Sequence, residues 1–205
     1  MKKMRLTAIV VMLTLVAGVS AQVNVGIKGG VNLSNYYGDE LTEKNAKVGF
    51  HVGVMGEYEI NYNVALQTGI YFTTKGLKTE NQNWNAEYTE NLMYLQLPVH
   101  FAYKVDVTPG TRVVFHAGPY IAYGVGGSRK ASVGSITGEW DVDNIFGDGE
   151  TQYKPFDAGL GLGVGAEFGQ ILLDLGWDMG LVNFSRTTDG DLKNQNAYLS
   201  VGFRF

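Results

Sequence analysis

His51, His100 and His116 are the only imidazoles in the chain, so proton transfer, metal ligation or activation of a nucleophile would have to run through them. A serine hydrolase would set one of them beside a nucleophile, yet no Gly-x-Ser-x-Gly elbow accompanies any of the three. His100 and His116 are nearly symmetric about residues 104–111. A turn there would bring them side by side on neighbouring strands. Two imidazoles without a third named carboxylate make a poor metal site, so packed histidines are the expectation, and neither a metal nor a cofactor is assigned. Residues 126–154 hold a second candidate, the acidic set Glu139, Asp141, Asp143, Asp148 and Glu150. They miss the calcium-loop template, because Phe146 stands where the sharp turn needs glycine. Cysteine is absent, which excludes disulfides, thiol chemistry and a lipidated N-terminal cysteine.

The segments carrying these residues alternate in polarity with a period of two. In the final nine residues Ala197, Leu199, Val201, Phe203 and Phe205 share one face, and Tyr198, Ser200, Gly202 and Arg204 the other. The same pattern begins with Val23, Val25, Ile27, Val31 and Leu33, and recurs over about 48–60, 64–72, 93–103, 113–123, 156–168 and 171–179. Eight strands result. Asn61-Tyr62-Asn63, residues 104–111 and Gly169-Gln170 read as short turns, and the remaining connections are long. Pro98, lacking an N–H, predicts a bulge or local break in its strand.

An even number of antiparallel strands joined alternately by long loops and tight turns is the pattern of an up-and-down transmembrane β-barrel of the bacterial outer membrane. Phe50, Phe72, Tyr123 and Trp177 fall near the long-loop ends, and Tyr58, Phe101, Tyr103, Phe168 and Phe205 near the short-turn ends, which forms two aromatic girdles. A soluble eight-stranded barrel would instead turn its apolar face inward. Orientation follows from the turns: both termini periplasmic, long loops extracellular.

All three histidines then face the lumen, together with Lys28, Glu57, Glu59, Asp157, Glu167, Asp174, Asp178 and Arg204. An eight-stranded barrel is just wide enough to be filled by side chains, so these charges are read as a structural polar network, with Arg204 near Glu59 and Glu167 and Lys28 near Glu57 and Asp174. A conducting pore is the sharper alternative. Alternate glycines over 157–163 are expected to make room for Tyr71, Tyr94 or Tyr120. In the long loops Trp84, Trp140 and Phe146 are candidate partner contacts, with folding back over the barrel mouth as the other reading.

Residues 1–21 have a basic start, an apolar run and small residues before Gln22, which reads as a cleavable signal peptide, leaving 22–205 as one domain. A net charge of −4 gives no sign of a nucleic-acid partner.

Four local patterns carry a resemblance. Tyr94-Leu95-Gln96-Leu97-Pro98, Ala117-Gly118-Pro119-Tyr120, the Gly-rich run from Asp157 to Gly163, and Trp177-Asp178-Met179-Gly180-Leu181-Val182-Asn183 occur in the order found in PorT-type outer-membrane β-barrel domains, which the chain resembles over most of its length. The resemblance implies an outer-membrane location among lipid, and assembly by the barrel-insertion machinery, with Phe203 and Phe205 as the C-terminal signal. Some such relatives serve protein secretion. The expected role is therefore non-enzymatic, structural or partner-binding through the extracellular loops. An accessory part in secretion, a small channel and a lipid-modifying enzyme are the alternatives.

Overall fold

The computed structural model describes residues 23–38, 45–81, 86–133, 136–141, 145–149, 152–186 and 190–205. Residues 1–21, read above as a signal peptide, and Trp84 lie outside these residues.

The described residues form nine antiparallel strands: β1 (Val23–Tyr37), β2 (Asn45–Asn61), β3 (Val64–Asn81), β4 (Ala86–Thr108), β5 (Thr111–Val133), β6 (Ile136–Asp141), β7 (Phe156–Phe168), β8 (Ile171–Gly180) and β9 (Lys193–Arg204). Eight of them close a barrel. Each pairs with its neighbour in sequence, β5 skips β6 to pair with β7, and β9 closes on β1 from Gly26↔Arg204 to Tyr37↔Lys193. Closure matters because every unpaired backbone group in hydrocarbon would cost several kcal/mol. The ninth strand, β6, is a hairpin partner hung on the far end of β5.

Which face meets lipid is decided by the leucines. Leu160, Leu173 and Leu199 are 55%, 42% and 54% exposed on the outer surface, whereas Glu57, Asp157 and Ser200 are buried in the interior. The polarity is that of a membrane barrel. Phe50 and Phe72 contact one another at 5.9 Å near the long-loop ends, and Tyr123 and Trp177 stand exposed at the same level. Tyr58, Phe101, Tyr103, Phe168 and Phe205 form the opposite band.

Short turns follow from local chemistry. Asn61 Oδ1 accepts hydrogen bonds from the N–H groups of Asn63 and Val64, which closes the β2–β3 turn without a special backbone conformation. Gly110 and Gly169 adopt φ of 78° and 61°, values that favour glycine, in the β4–β5 and β7–β8 turns. At Pro98 the register is unchanged but the ladder is interrupted. Pairing with β3 stops at Thr68↔Val99 and resumes at Tyr71↔Gln96, while Thr68 Oγ1 donates to the Pro98 carbonyl.

Three segments read as loops are instead strand. Residues 75–81 and 86–91 continue the β3–β4 ladder to Asn81↔Ala86, β5 runs on to Val133, and 104–108 belongs to β4. Beyond the girdles the outer face meets water instead of lipid, so no apolar alternation marks these extensions in the sequence, although Lys75, Glu90 and Lys104 are buried on the inner side. From Tyr123 to Val133 the projection is about 30 Å along the strand.

Candidate functional site

Three layers of polar side chains fill the lumen. At the short-turn end Lys104, projecting inward from β4, is buried between Glu57 Oε1 at 2.5 Å and Glu167 Oε1 at 2.9 Å. Arg112 adds contacts to Glu167 at 2.8 Å and Glu59 at 3.6 Å, and Arg204 reaches Glu57 and Glu167 at 3.6 and 3.5 Å. Three cations meet three carboxylates, so the layer is neutral and spans the barrel. Glu57 pairs with Lys104 rather than with Lys28. Lys104 was hidden from sequence reading because 104–111 looked like a turn, and Arg112 because it stands between that turn and the alternation read from 113.

In the middle layer Lys28 pairs with Asp174 Oδ2, and His116 Nε2 lies 2.8 Å from Asp174 Oδ1. A carboxylate only accepts, so His116 donates there. Its Nδ1 then accepts from His100 Nδ1–H at 3.0 Å, with the two rings stacked at 5.2 Å. This leaves the lone pair of His100 Nε2 without a partner. Gly161 and Gly163 make this arrangement fit. A Cβ on Gly161 would stand 2.8 Å from His100 Nε2, and one on Gly163 only 2.5 Å from His116 Nε2. The room made by those two glycines is thus taken by imidazoles rather than by tyrosines.

His51, across the lumen, sits in a different arrangement. Asn32 Nδ2 donates to two carbonyls and to Thr73 Oγ1, which fixes its Oδ1 as the acceptor for His51 Nδ1–H at 2.7 Å. His51 Nε2 therefore accepts from Ser200 Oγ–H at 2.8 Å. Nucleophile, base and orienting amide stand in the order of a serine hydrolase. Two features oppose that chemistry: Ser200 is fully buried, and the strand around it is laddered to β1 and β8, which takes up the backbone N–H groups an oxyanion hole would need. Sequence reading could not find this trio, because barrel closure brings together residues 149 positions apart.

The long-loop end is closed by Lys75, fully buried, 3.3 Å from Asp157 and over the faces of Tyr94 and Tyr120 at 5.5 and 4.5 Å. Asn194 Nδ2 and Tyr120 Oη also donate to Asp157. Above it Tyr36, Leu92, Tyr94, Tyr120, Ile145 and Phe184 form an apolar core. In that core Glu90 accepts hydrogen bonds from Tyr36, Tyr88, Tyr153 and Arg129. Burial, reinforced by the Glu90 charge, pushes the Tyr88 phenol up to about 12 and raises Tyr153 as well. Phe146 folds inward against Tyr94 at 5.3 Å and over Gly124, so it is a lid residue and not an outward contact. Trp140 stands opposite Arg129 in the β5–β6 register. Among the described members of the acidic set, Asp148 pairs with Arg186, and Asp143 and Glu150 lie outside the described residues. No group of three His, Asp or Glu side chains among the described residues has metal-holding geometry.

The outer face of β9 ends on Phe203 and Phe205, whose rings touch at 5.9 Å, and the Phe205 N–H donates to Val25.

Solved structures similar to the chain include Ail, the attachment invasion locus protein of Yersinia pestis, at 14% identity over 90% of this chain and 99% of that one with a TM-score of 0.46. Neisserial surface protein A is 11% identical over 88% and 97%, TM-score 0.48, and the N-terminal β-barrel domain of Pseudomonas aeruginosa OprF 14% identical over 89% and 97%, TM-score 0.37. No curated protein sequence matches. The model of the outer membrane protein beta-barrel domain matches residues 18–186, and the chain, an eight-stranded barrel with an apolar outer surface, belongs to that family.

Proposed function

We propose that this protein is a non-enzymatic outer-membrane anchor that presents a rigid sheet to a protein partner outside the cell. One observation carries this reading: β3, β4 and β5 continue as a sheet beyond the outer girdle and end on β6, whose far edge has no paired neighbour among the described residues. Such an edge offers a row of N–H and C=O groups to an extended segment of another chain. The apolar core under it, from Tyr36 to Phe184, ties the sheet to the barrel, so a captured partner is held at a fixed height above the lipid. Trp84 and Trp140 are the aromatic partner contacts in this reading.

In this reading residues 1–21 are a cleaved signal peptide, 22–205 form the barrel, both termini are periplasmic and the long loops are extracellular. Phe203 and Phe205 address the chain to the barrel-assembly machinery, and the PorT-type branch is the narrower assignment. The polar layers are structural, and the barrel passes no steady current. The charged network at one end and the tyrosine-sandwiched Lys75 at the other support that statement.

A photocrosslinker placed at Thr137 or Glu139 on β6 is the test. Adducts with an extracellular protein from these positions, and none from Tyr62, support the proposal. Adducts from Tyr62 alone overturn it and favour an accessory role in secretion, for which Tyr62 and Val107 supply exposed apolar contacts at the short-turn end.

A further inference from the structure

Around the middle of the lumen two cations face three carboxylates. The short-turn layer is neutral, and beyond the middle Glu90 is met by Arg129 at 3.0 Å. Between them Lys28 pairs with Asp174 and Lys75 with Asp157, which leaves Asp178 without an ion-pair partner among the described residues. Lys47 is turned to Asn91 at 2.7 Å instead. The Asp178 side chain is buried, and its Oδ2 accepts from Gln96 Nε2 at 2.9 Å. No imidazole supplies the missing charge. In the hydrogen-bond order given above His51, His100 and His116 are each neutral, with one N–H and one lone pair. Tyr71, Tyr120 and Tyr198, the phenols facing this region, are neutral as well.

A buried carboxylate without a counter-charge is neutralised by a proton, because taking the ion out of water costs far more than taking out the acid. The acid then needs an acceptor for its O–H. One stands beside it: His100 Nε2, a lone pair without a partner on a buried side chain. Asp178 Oδ1 and His100 Nε2 lie 2.6 and 2.8 Å from the point where a Cβ on Gly161 would stand, so they crowd one space. Both side chains border a cavity of about 70 Å³, which gives them room to close on one another.

We infer that Asp178 is a neutral carboxylic acid at neutral pH and donates its Oδ1–H to His100 Nε2. The excess charge and the unused lone pair are resolved together, by one proton and no ligand. Hydrogen bonds then run in one direction across the lumen, from Asp178 through His100 and His116 to Asp174, whose charge is kept by Lys28. The arrangement makes the barrel a pH-sensitive device. In the unfolded chain an aspartate titrates at about 3.9, so unfolding at neutral pH releases this proton, and stability falls as pH rises. The device is independent of the sheet that projects from the barrel.

The test is infrared spectroscopy of the whole barrel refolded in a detergent without ester carbonyls. At neutral pH the wild type should show one protonated-carboxyl C=O band, lowered in frequency when the chain is made with carboxyl-labelled (carbon-13) aspartate, and Asp178→Asn should lack it. Heat unfolding supplies the second measurement. As pH rises from 5 to 8 the wild-type midpoint should fall by about 3–5 °C per pH unit more than that of Asp178→Asn, the effect of one released proton in a barrel of this size. Absence of the band from the wild type, the result expected if the proton sits on the imidazole pair, overturns the inference without any variant. A band that survives in Asp178→Asn, or equal pH slopes in the two proteins, overturns it as well. Asparagine keeps the shape of the acid and supplies an N–H to His100, so an Asp178→Asn barrel that fails to fold also contradicts the inference.

Discussion

Lys104 Nζ and Glu57 Oε1 lie 2.5 Å apart inside the barrel, both side chains 1% exposed, with Glu167 completing the cation's shell. Removing the lysine leaves Glu57, Glu59 and Glu167 facing one another with only the two flanking arginines. Lys104→Met is expected to lower the stability of the refolded barrel by about 3–5 kcal/mol, as when one partner of a buried pair is lost. Adding Glu57→Gln should recover part of that loss. Urea titrations followed by the heat-dependent gel shift of the folded barrel would measure both variants, and a neutral Lys104→Met would mean that the layer is solvated.

Ser200, His51 and Asn32 look like a hydrolytic trio but are buried in the barrel interior without an oxyanion hole. The barrel is therefore expected to remain unlabelled by a fluorophosphonate probe under conditions that label a serine hydrolase fully. Ser200→Ala should cost about 1–3 kcal/mol, because His51 Nε2 is left as a buried acceptor without its donor. Labelling lost in Ser200→Ala and in His51→Phe would instead establish an enzyme.

Glu90 organises the projecting end through four donors, and its charge helps keep Tyr88 protonated. The folded phenol holds its proton up to about 12, against 10.0 ordinarily. The sign follows from that direction: the contribution of the protonated tyrosine is fully present below pH 10 and is lost as pH rises through 12. Difference absorbance of phenolate between wild type and Tyr88→Phe should show one tyrosine titrating late. Glu90→Gln should bring that titration down and expose the segment around Phe146 to proteolysis, while the membrane-embedded strands stay intact.

How much of this was legible in the sequence depended on where lipid acts. Between the girdles hydrocarbon on one side and a wet interior on the other force every second residue to change character, so Val48 to Ile60 and Leu160 to Phe168 could be read from alternation alone. That constraint ends at the headgroups. Lys75 and Lys104 then looked like loop and turn residues although they are among the most deeply buried cations of the barrel, and β6 was absorbed into an acidic loop. The His51–Ser200 and Lys28–Asp174 contacts depend on the registers that wrap β9 and β8 around to β1, and no short-range pattern encodes them.

Leu172 and Leu173 carry the central claim most directly, being identical side chains on adjacent residues of β8 that face lumen and lipid respectively, 8% and 42% exposed. The chain contains no cysteine, so a single cysteine at either position can be spin-labelled without background. In lipid bilayers, collision with oxygen, which concentrates in hydrocarbon, should be strong at position 173, weak at 172, strong again at 175 and weak at 174. Equal accessibility at 172 and 173, or the inverse order, would contradict a barrel whose apolar face looks out.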